Sequence, residues 1–335
     1  VSIAANSYIN GTHTQKVWVV KDSSRTSEIE VVDKFLKFCI SEQAKIKIDP
    51  EIINAIKKVD IMSKLSCEDI ERSELFSLKN NLEAYTHLVC MGFNSSKYDL
   101  NVMFEHILIS LKKSNVPLRN VKILKKSTKY FSLKFLNLHF KDLLNFTAPC
   151  SLEKYLSSWT SDFEKLVYPY EYFSCIDEIR KCKNFPSYSI FYSRLKGNVD
   201  KTQYESCKSL FNYHRSLPVT HPKHWKSFED YLRYYNVSDV YPASVALINQ
   251  FNSYENNFGC NPLQTMGLPS FARVAMYKLY NPDSPSIVSF PPRSIATELF
   301  RKSIIGGLTN VFKRHVTVMD EPAANAAKYN KTGKN

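Results

Sequence analysis

The chain has 335 residues, of which 44% are hydrophobic and 23% charged, the composition of a globular protein long enough for one large domain or two ordinary ones. No apolar run reaches the roughly 18 residues that a membrane-crossing helix needs, and no basic leader precedes Val1-Ser2-Ile3-Ala4-Ala5, so neither a spanning segment nor a signal peptide is expected. Forty-five basic residues against 32 acidic give a net charge of +13, which makes nucleic acid the leading partner class, with a merely basic surface as the plain alternative.

In chain order, Val1–Ile9 and Lys16–Lys21 are expected to be strands joined by a turn around Asn10-Gly11. Helical spacing runs over Ser27–Cys39, with Ser27 as the N-cap, and a second helix is expected after Asp49-Pro50, where proline suits the first turn. His87–Phe93 has the pattern of a buried strand. It turns at Asn94-Ser95-Ser96 into a helix carrying Leu100, Met103, Phe104, Ile107, Leu108 and Leu111. Val121–Leu124 and Tyr130–Leu138 pair as strands around Lys125–Thr128, and helices and loops dominate from about residue 150. Strands flanked by helices suggest an α/β layer. The eight cysteines are scattered without a C-x-x-C pair, which speaks against zinc and a disulfide framework and for a reducing, intracellular compartment.

Two short patterns carry chemistry. In Gly92–Asp99 an apolar strand ends, small polar residues turn the chain, and Asp99 arrives at the mouth of a helix, where a carboxylate can serve either the helix dipole or a hard cation such as Mg²⁺. In Tyr234–Val240, Tyr235 and Asp239 are four apart and share one helical face, so that a phenol stands beside a carboxylate. The plain alternative is a half-buried Tyr and a surface Asp.

Asn94-x-x-x-Tyr98-Asp99 resembles the second exonuclease motif of B-family DNA polymerases, and Tyr235-x-x-x-Asp239 resembles the third. Between them, Ser151-Leu152-x-x-Tyr155 and Lys165-Leu166-Val167-Tyr168 resemble motifs of the protein-primed branch, found in phages, adenoviruses, linear plasmids and Polinton/Maverick elements. Ile304–Phe312, with Gly306-Gly307, is similar to that branch's Tyr-x-Gly-Gly loop, with Ile304 in place of the Tyr. The resemblance implies an RNase H-like 3′–5′ exonuclease domain over residues 1–254, a mostly helical connector toward a polymerase palm over 255–315, and a polar tail over 316–335. It implies Mg²⁺ or Mn²⁺ held by Asp99 and Asp239, and an attacking water positioned by Tyr235. Lys165 would offset charge on the scissile phosphate, while Asn94, Tyr98, Ser151, Leu152, Gly306 and Gly307 would contact DNA. Ser151 is equally suited to cap the helix after it, Lys165 to be a surface lysine, and Gly306-Gly307 to be a plain turn. The implied partners are a single-stranded primer end and, in that branch, a priming protein.

The family's first motif, Asp-x-Glu on an apolar strand, has no counterpart. Asp49-x-Glu51, Asp69-x-Glu71 and Asp162-x-Glu164 match the spacing, the first at the expected start of the second helix, the next in a charged helical stretch and the last after the second motif. The chain is therefore expected to be a fragment whose Asp-x-Glu lies upstream of Val1. It should be a poor nuclease by itself, because two-metal hydrolysis needs those carboxylates. The alternative is a catalytically inactive nucleic-acid-binding protein of the same fold, derived from a mobile element.

Overall fold

A computed structural model of the chain describes residues 2–65, 69–161, 163–194 and 197–280. Gly306, Gly307 and the 316–335 tail lie outside these residues. The chain divides into two compact units, Val1–Pro282 and Asp283–Asn335, and the first contains everything described below.

The protein is mixed α/β. Strands β1 (Ser2–Ile9) and β2 (Thr12–Val19) form an antiparallel hairpin in continuous register from Ser2↔Val19 to Ile9↔Thr12. Asn10 and Gly11 have φ of 52° and 79°, the left-handed pair that a two-residue hairpin turn requires. The second strand thus starts four residues earlier than the sequence pattern suggested.

Helix α1 (Arg25–Gln43) is capped by Ser24, whose side chain accepts from the Ser27 amide. Ser27, the expected cap, is instead buried, and its hydroxyl accepts from the Lys21 amide at 2.6 Å, tying the hairpin's exit to the helix. Helices α2 (Pro50–Leu65) and α3 (Asp69–Glu83) pack on each other before β3 (Leu88–Gly92).

The main sheet is formed by β3, β4 (Lys122–Lys126), β5 (Lys129–Phe135) and β6 (Leu138–Asp142) in the order β3-β6-β5-β4. Tyr130–Leu138 is therefore not one strand. Leu136 and Asn137 (φ 48° and 58°) reverse the chain, and β6 folds back along β5 and runs parallel to β3. Continuous apolar character across Phe135-Leu136 masked this turn, which lacks glycine and proline.

On β6, Leu138 and Phe140 face a core built with β5, with Val32, Phe35 and Leu36 of α1, and with Leu100, Ile107 and Leu111 of α4 (Asp99–Lys113). By strand alternation, Asp142 shares that face, while His139 and Lys141 point to the other. His139 bonds Ser132 at 2.8 Å, and burial, reinforced by Lys141, drives its pKa down to about 2, so the ring is neutral.

The remaining helices are α5 (Leu152–Trp159), α6 (Ile176–Lys181), α7 (Lys201–Ser216), α8 (Phe228–Phe258) and α9 (Leu268–Tyr280). A capping box at Ser227 and Asp230 starts α8, and Gly259 in the left-handed conformation (φ 61°) ends it. The 31-residue helix is the spine of the unit. Its first turns join an aromatic core with Phe185, Phe191, Tyr204, Phe211 and Trp225, and its later turns pack on α5. Midway it is pinned to β1 by Asn236–Ser2 (3.0 Å) and Ser244–Asn6 (2.6 Å).

The domain boundary expected at residue 254 falls inside α8. Tyr254 and Phe258 pack with Phe271 and Ala275 of α9, so the start of the supposed connector belongs to the first unit.

Candidate functional site

The two strands that run parallel, β3 and β6, end side by side, with Gly92 opposite Asp142. In open α/β sheets, ligands bind in the crevice beyond the carboxyl ends of such strands. The loop after β3 is held there by a buried carboxylate. Asp142, with 0% exposure, accepts hydrogen bonds from the amides of Asn94 (2.9 Å), Ser96 (3.1 Å) and Leu144 (2.9 Å) and from the Ser96 hydroxyl. Asn94 takes a left-handed conformation (φ 58°) to bend the loop. A Cβ on Gly92 would lie 2.7 Å from that of Ser95, so the tight return requires glycine.

This loop delivers Asp99 to the first turn of α4, exposed at the surface. The Asp99 carboxyl is pushed above its ordinary range first by the surrounding protein and then by the negative charge of Asp142. Tyr98 just before it is 65% exposed and makes no side-chain cap. Phe93 by contrast is half-buried against the cluster of Leu143, Tyr155, Leu156 and Ala246, its ring 6.1 Å from that of Tyr155.

Tyr235 and Asp239 lie one turn apart on α8, as the spacing predicts. Tyr235 is a hydrogen-bond partner of the Asp239 carboxylate and of the Tyr170 hydroxyl, forming a chain Tyr170–Tyr235–Asp239. Desolvation raises the Asp239 carboxyl above its ordinary value, against the opposing pull of the Tyr235 hydrogen bond. Desolvation, and then the Asp239 charge, raise the Tyr235 phenol as well, so it stays protonated at neutral pH. Beside this turn, α8 borders a groove of about 210 Å³ lined by Phe163, Tyr234, Ser238, Tyr241 and Pro242.

The segments that carry the two motifs border one apolar cluster, but Asp99 feels the charge of Asp142 and not that of Asp239. Phe93, which precedes Asp99 by six positions, shares an apolar cluster with Ala243, one helical turn beyond Asp239. Among the described residues, however, no three His, Cys, Asp or Glu side chains gather closely enough to hold a metal ion. The oxygen donors of Asp99 and Asp239 suit Mg²⁺, which takes one or two carboxylates and keeps most of its waters. They do not make up the ligand set of a two-metal site.

Ser151 caps α5, accepting from the Lys154 amide at 3.2 Å, and Leu152 packs into the cluster with Tyr155. Ser151→Ala should therefore lower stability by about 1 kcal/mol, measured by denaturant unfolding. A loss of single-strand binding with unchanged stability would assign it to the ligand instead. Lys165 is half-exposed and paired with Glu153 of α5, so its ammonium is engaged inside the protein.

Sequence reasoning missed Asp142, Tyr170 and Lys141. The signal for Asp142 was the alternation Leu138-His139-Phe140-Lys141-Asp142, which is legible once Leu136-Asn137 is taken as a turn. Tyr170 lay within the Pro169–Tyr172 stretch without a spacing that tied it to Tyr235.

Fold and site together define a mixed-sheet α/β protein with acidic residues beyond the ends of two parallel strands and an aromatic groove along α8. No family model, no curated protein and no solved structure matches the chain.

Proposed function

We propose that the chain is the 3′–5′ exonuclease region of a protein-primed B-family DNA polymerase, RNase H-like in fold, and that it binds a single-stranded DNA end as a weak or incomplete catalyst. The observation that carries the reading is that the loop leading to Asp99 and the helix bearing Tyr235 and Asp239 both border the cluster of Leu143, Tyr155, Leu156 and Ala246, through Phe93 and Ala243. Both patterns are those of the resemblance, and they lie 140 positions apart in the chain. Each of these carboxyls is raised first by desolvation, so each is costly to ionise unless a cation compensates it. Such a cation would supply positive charge to a scissile phosphate. Tyr235, protonated between Tyr170 and Asp239, donates its hydrogen bond to the Asp239 carboxylate and would position an attacking water through that carboxylate. The groove with Tyr234, Tyr241 and Phe163 offers rings for unpaired bases, a sequence-tolerant mode of binding.

A second reading, a catalytically inactive nucleic-acid-binding protein, is favoured by the absence of a three-carboxylate gathering among the described residues. Single-stranded DNA labelled at its 3′ end separates the two. On the first reading, Mg²⁺ or Mn²⁺ tightens binding by about tenfold over EDTA, a gain of about 1.4 kcal/mol, and supports slow shortening from the 3′ end. Asp99→Ala and Asp239→Ala each abolish both effects. On the second reading, binding is the same with and without cation. Cation-dependent binding untouched by either substitution would refute the proposed site.

A further inference from the structure

Between Glu105 and Asp142 the chain carries nine Lys and Arg residues and not one Asp or Glu, over 36 consecutive positions. These positions form the C-terminal half of α4, the 3-10 turn Leu118–Asn120, β4 at the open edge of the main sheet, β5 beside it, and most of β6, whose Lys141 is buried. Lys112, Lys113, Arg119, Lys122, Lys125 and Lys126 are all exposed, and among the described residues none has an acidic partner.

The register adds a second observation. Lys122 lies directly opposite Lys134, and Lys126 directly opposite Lys129. Like charges facing each other across a strand pair destabilise it, so the hairpin holds two repulsive pairs that a polyanion would relieve. Lysines on an edge strand also discourage edge-to-edge aggregation. That role explains charge on β4, but it does not explain the cations of α4 and the 3-10 turn, nor the lack of any compensating acid.

We infer that this edge is a docking surface for the phosphate backbone of duplex DNA, separate from the acidic crevice. The inference rests on the nucleic-acid reading above. Duplex is favoured over single strand because the large exposed side chains here are aliphatic (Leu118, Ile123, Leu124, Leu136), whereas Tyr130, Phe135 and Phe140 are buried. The edge thus offers cations for phosphates and only one half-buried ring, Phe131, itself beside the Lys129 ammonium. Duplex DNA also presents the denser charge, about one per 1.7 Å of axis. The exposed tyrosines that suit unpaired bases lie on α8 instead. The chain would then hold the paired part of a DNA at the sheet edge and its frayed end at the crevice.

The test uses the full chain and a 20-base-pair blunt duplex in EDTA, with affinity measured across a salt series. Lys122→Gln/Lys125→Gln/Lys126→Gln is compared with an equally exposed control set, Lys47→Gln/Lys57→Gln/Lys58→Gln, after both are shown by thermal melting to fold. The edge variant should bind duplex at least about tenfold more weakly, and its plot of log affinity against log salt should be shallower by about 2–3, near 0.9 per lost phosphate contact. The control should keep the wild-type slope. Equal losses in both sets would overturn the inference, as would an unchanged slope in the edge variant. Edge-dependent binding to vesicles of anionic phospholipid without duplex binding would overturn it too. Because Asp99→Ala and Asp239→Ala report on the crevice alone, failure there leaves this result separately readable.

Discussion

Asp142→Ala is expected to lower the stability of the protein by about 3–5 kcal/mol, the range for removing one partner from a buried charged network. The carboxylate is fully buried and receives three backbone amides and one hydroxyl. Alanine would leave those donors without an acceptor in a place that water does not reach. At about 2–4 °C per kcal/mol for a domain of this size, the melting temperature should fall by roughly 10 °C. Asp142→Asn should lose about half as much, because the amide keeps one acceptor oxygen but turns its NH₂ toward other donors. The same substitutions loosen the loop that presents Asp99, so any stabilisation by added Mg²⁺ should disappear with them. An alanine variant within about 1 kcal/mol of wild type would show that the loop is held by something else.

The second large effect is a pH dependence centred on Lys141. This lysine is 2% exposed on the face of β6 opposite Asp142, and its ammonium donates to the carbonyls of Leu263 (2.6 Å) and Thr265 (2.8 Å). Burial, and then the nearby charge of Lys134, bring its pKa from 10.5 down to about 7.

A lysine whose folded pKa is depressed favours the fold in its neutral form. Its contribution is full above the unfolded value of 10.5 and is lost as pH falls through that window to the folded value near 7. Three and a half units correspond to about 4–5 kcal/mol at most. Stability should therefore rise as pH is taken from about 7 to 9.5. Above that, the buried phenols of Tyr155 and Tyr231, whose pKa values are also raised by burial, start to act in the opposite direction. In Lys141→Met the rise should vanish, with the two carbonyls left as the compensating loss. Urea unfolding midpoints at four pH values decide the matter, and a wild-type midpoint flat between pH 7 and 9.5 would contradict the account.

Lys141 also shows how the C-terminal part of the described chain is fastened. It joins the central strand to the segment between α8 and α9, across 122 sequence positions. Together with the Tyr254–Phe271 ring stack (5.1 Å), this places α9 in the same compact unit as the sheet. The boundary at 254 comes with the resemblance, whereas the helix runs on to Phe258 and turns Tyr254 toward Phe271.

Local spacing alone accounts for several of these elements. The Asn10-Gly11 hairpin, the helix after Asp49-Pro50, the strand-turn-helix that delivers Asp99, and the shared face of Tyr235 and Asp239 each depend on residues within about one or two turns of one another. Their conformations follow from dihedral preference and periodicity alone. The run of cations without acids between Glu105 and Asp142 is likewise a property of composition.

Pairings between distant positions emerge only from the long-range packing. Asp142 matters because β6 happens to lie parallel to β3, a register fixed by long-range packing around Leu138 and Phe140 and invisible in a pattern that hides its own turn at Leu136-Asn137. Ser27 lost its cap to Ser24 because the end of the β1–β2 hairpin claimed its hydroxyl. Lys165 found Glu153, Tyr235 found Tyr170, and Lys141 found two carbonyls more than a hundred residues away. Such partners are chosen by where buried polar groups can be satisfied once the chain has collapsed, and no short window of sequence contains that information.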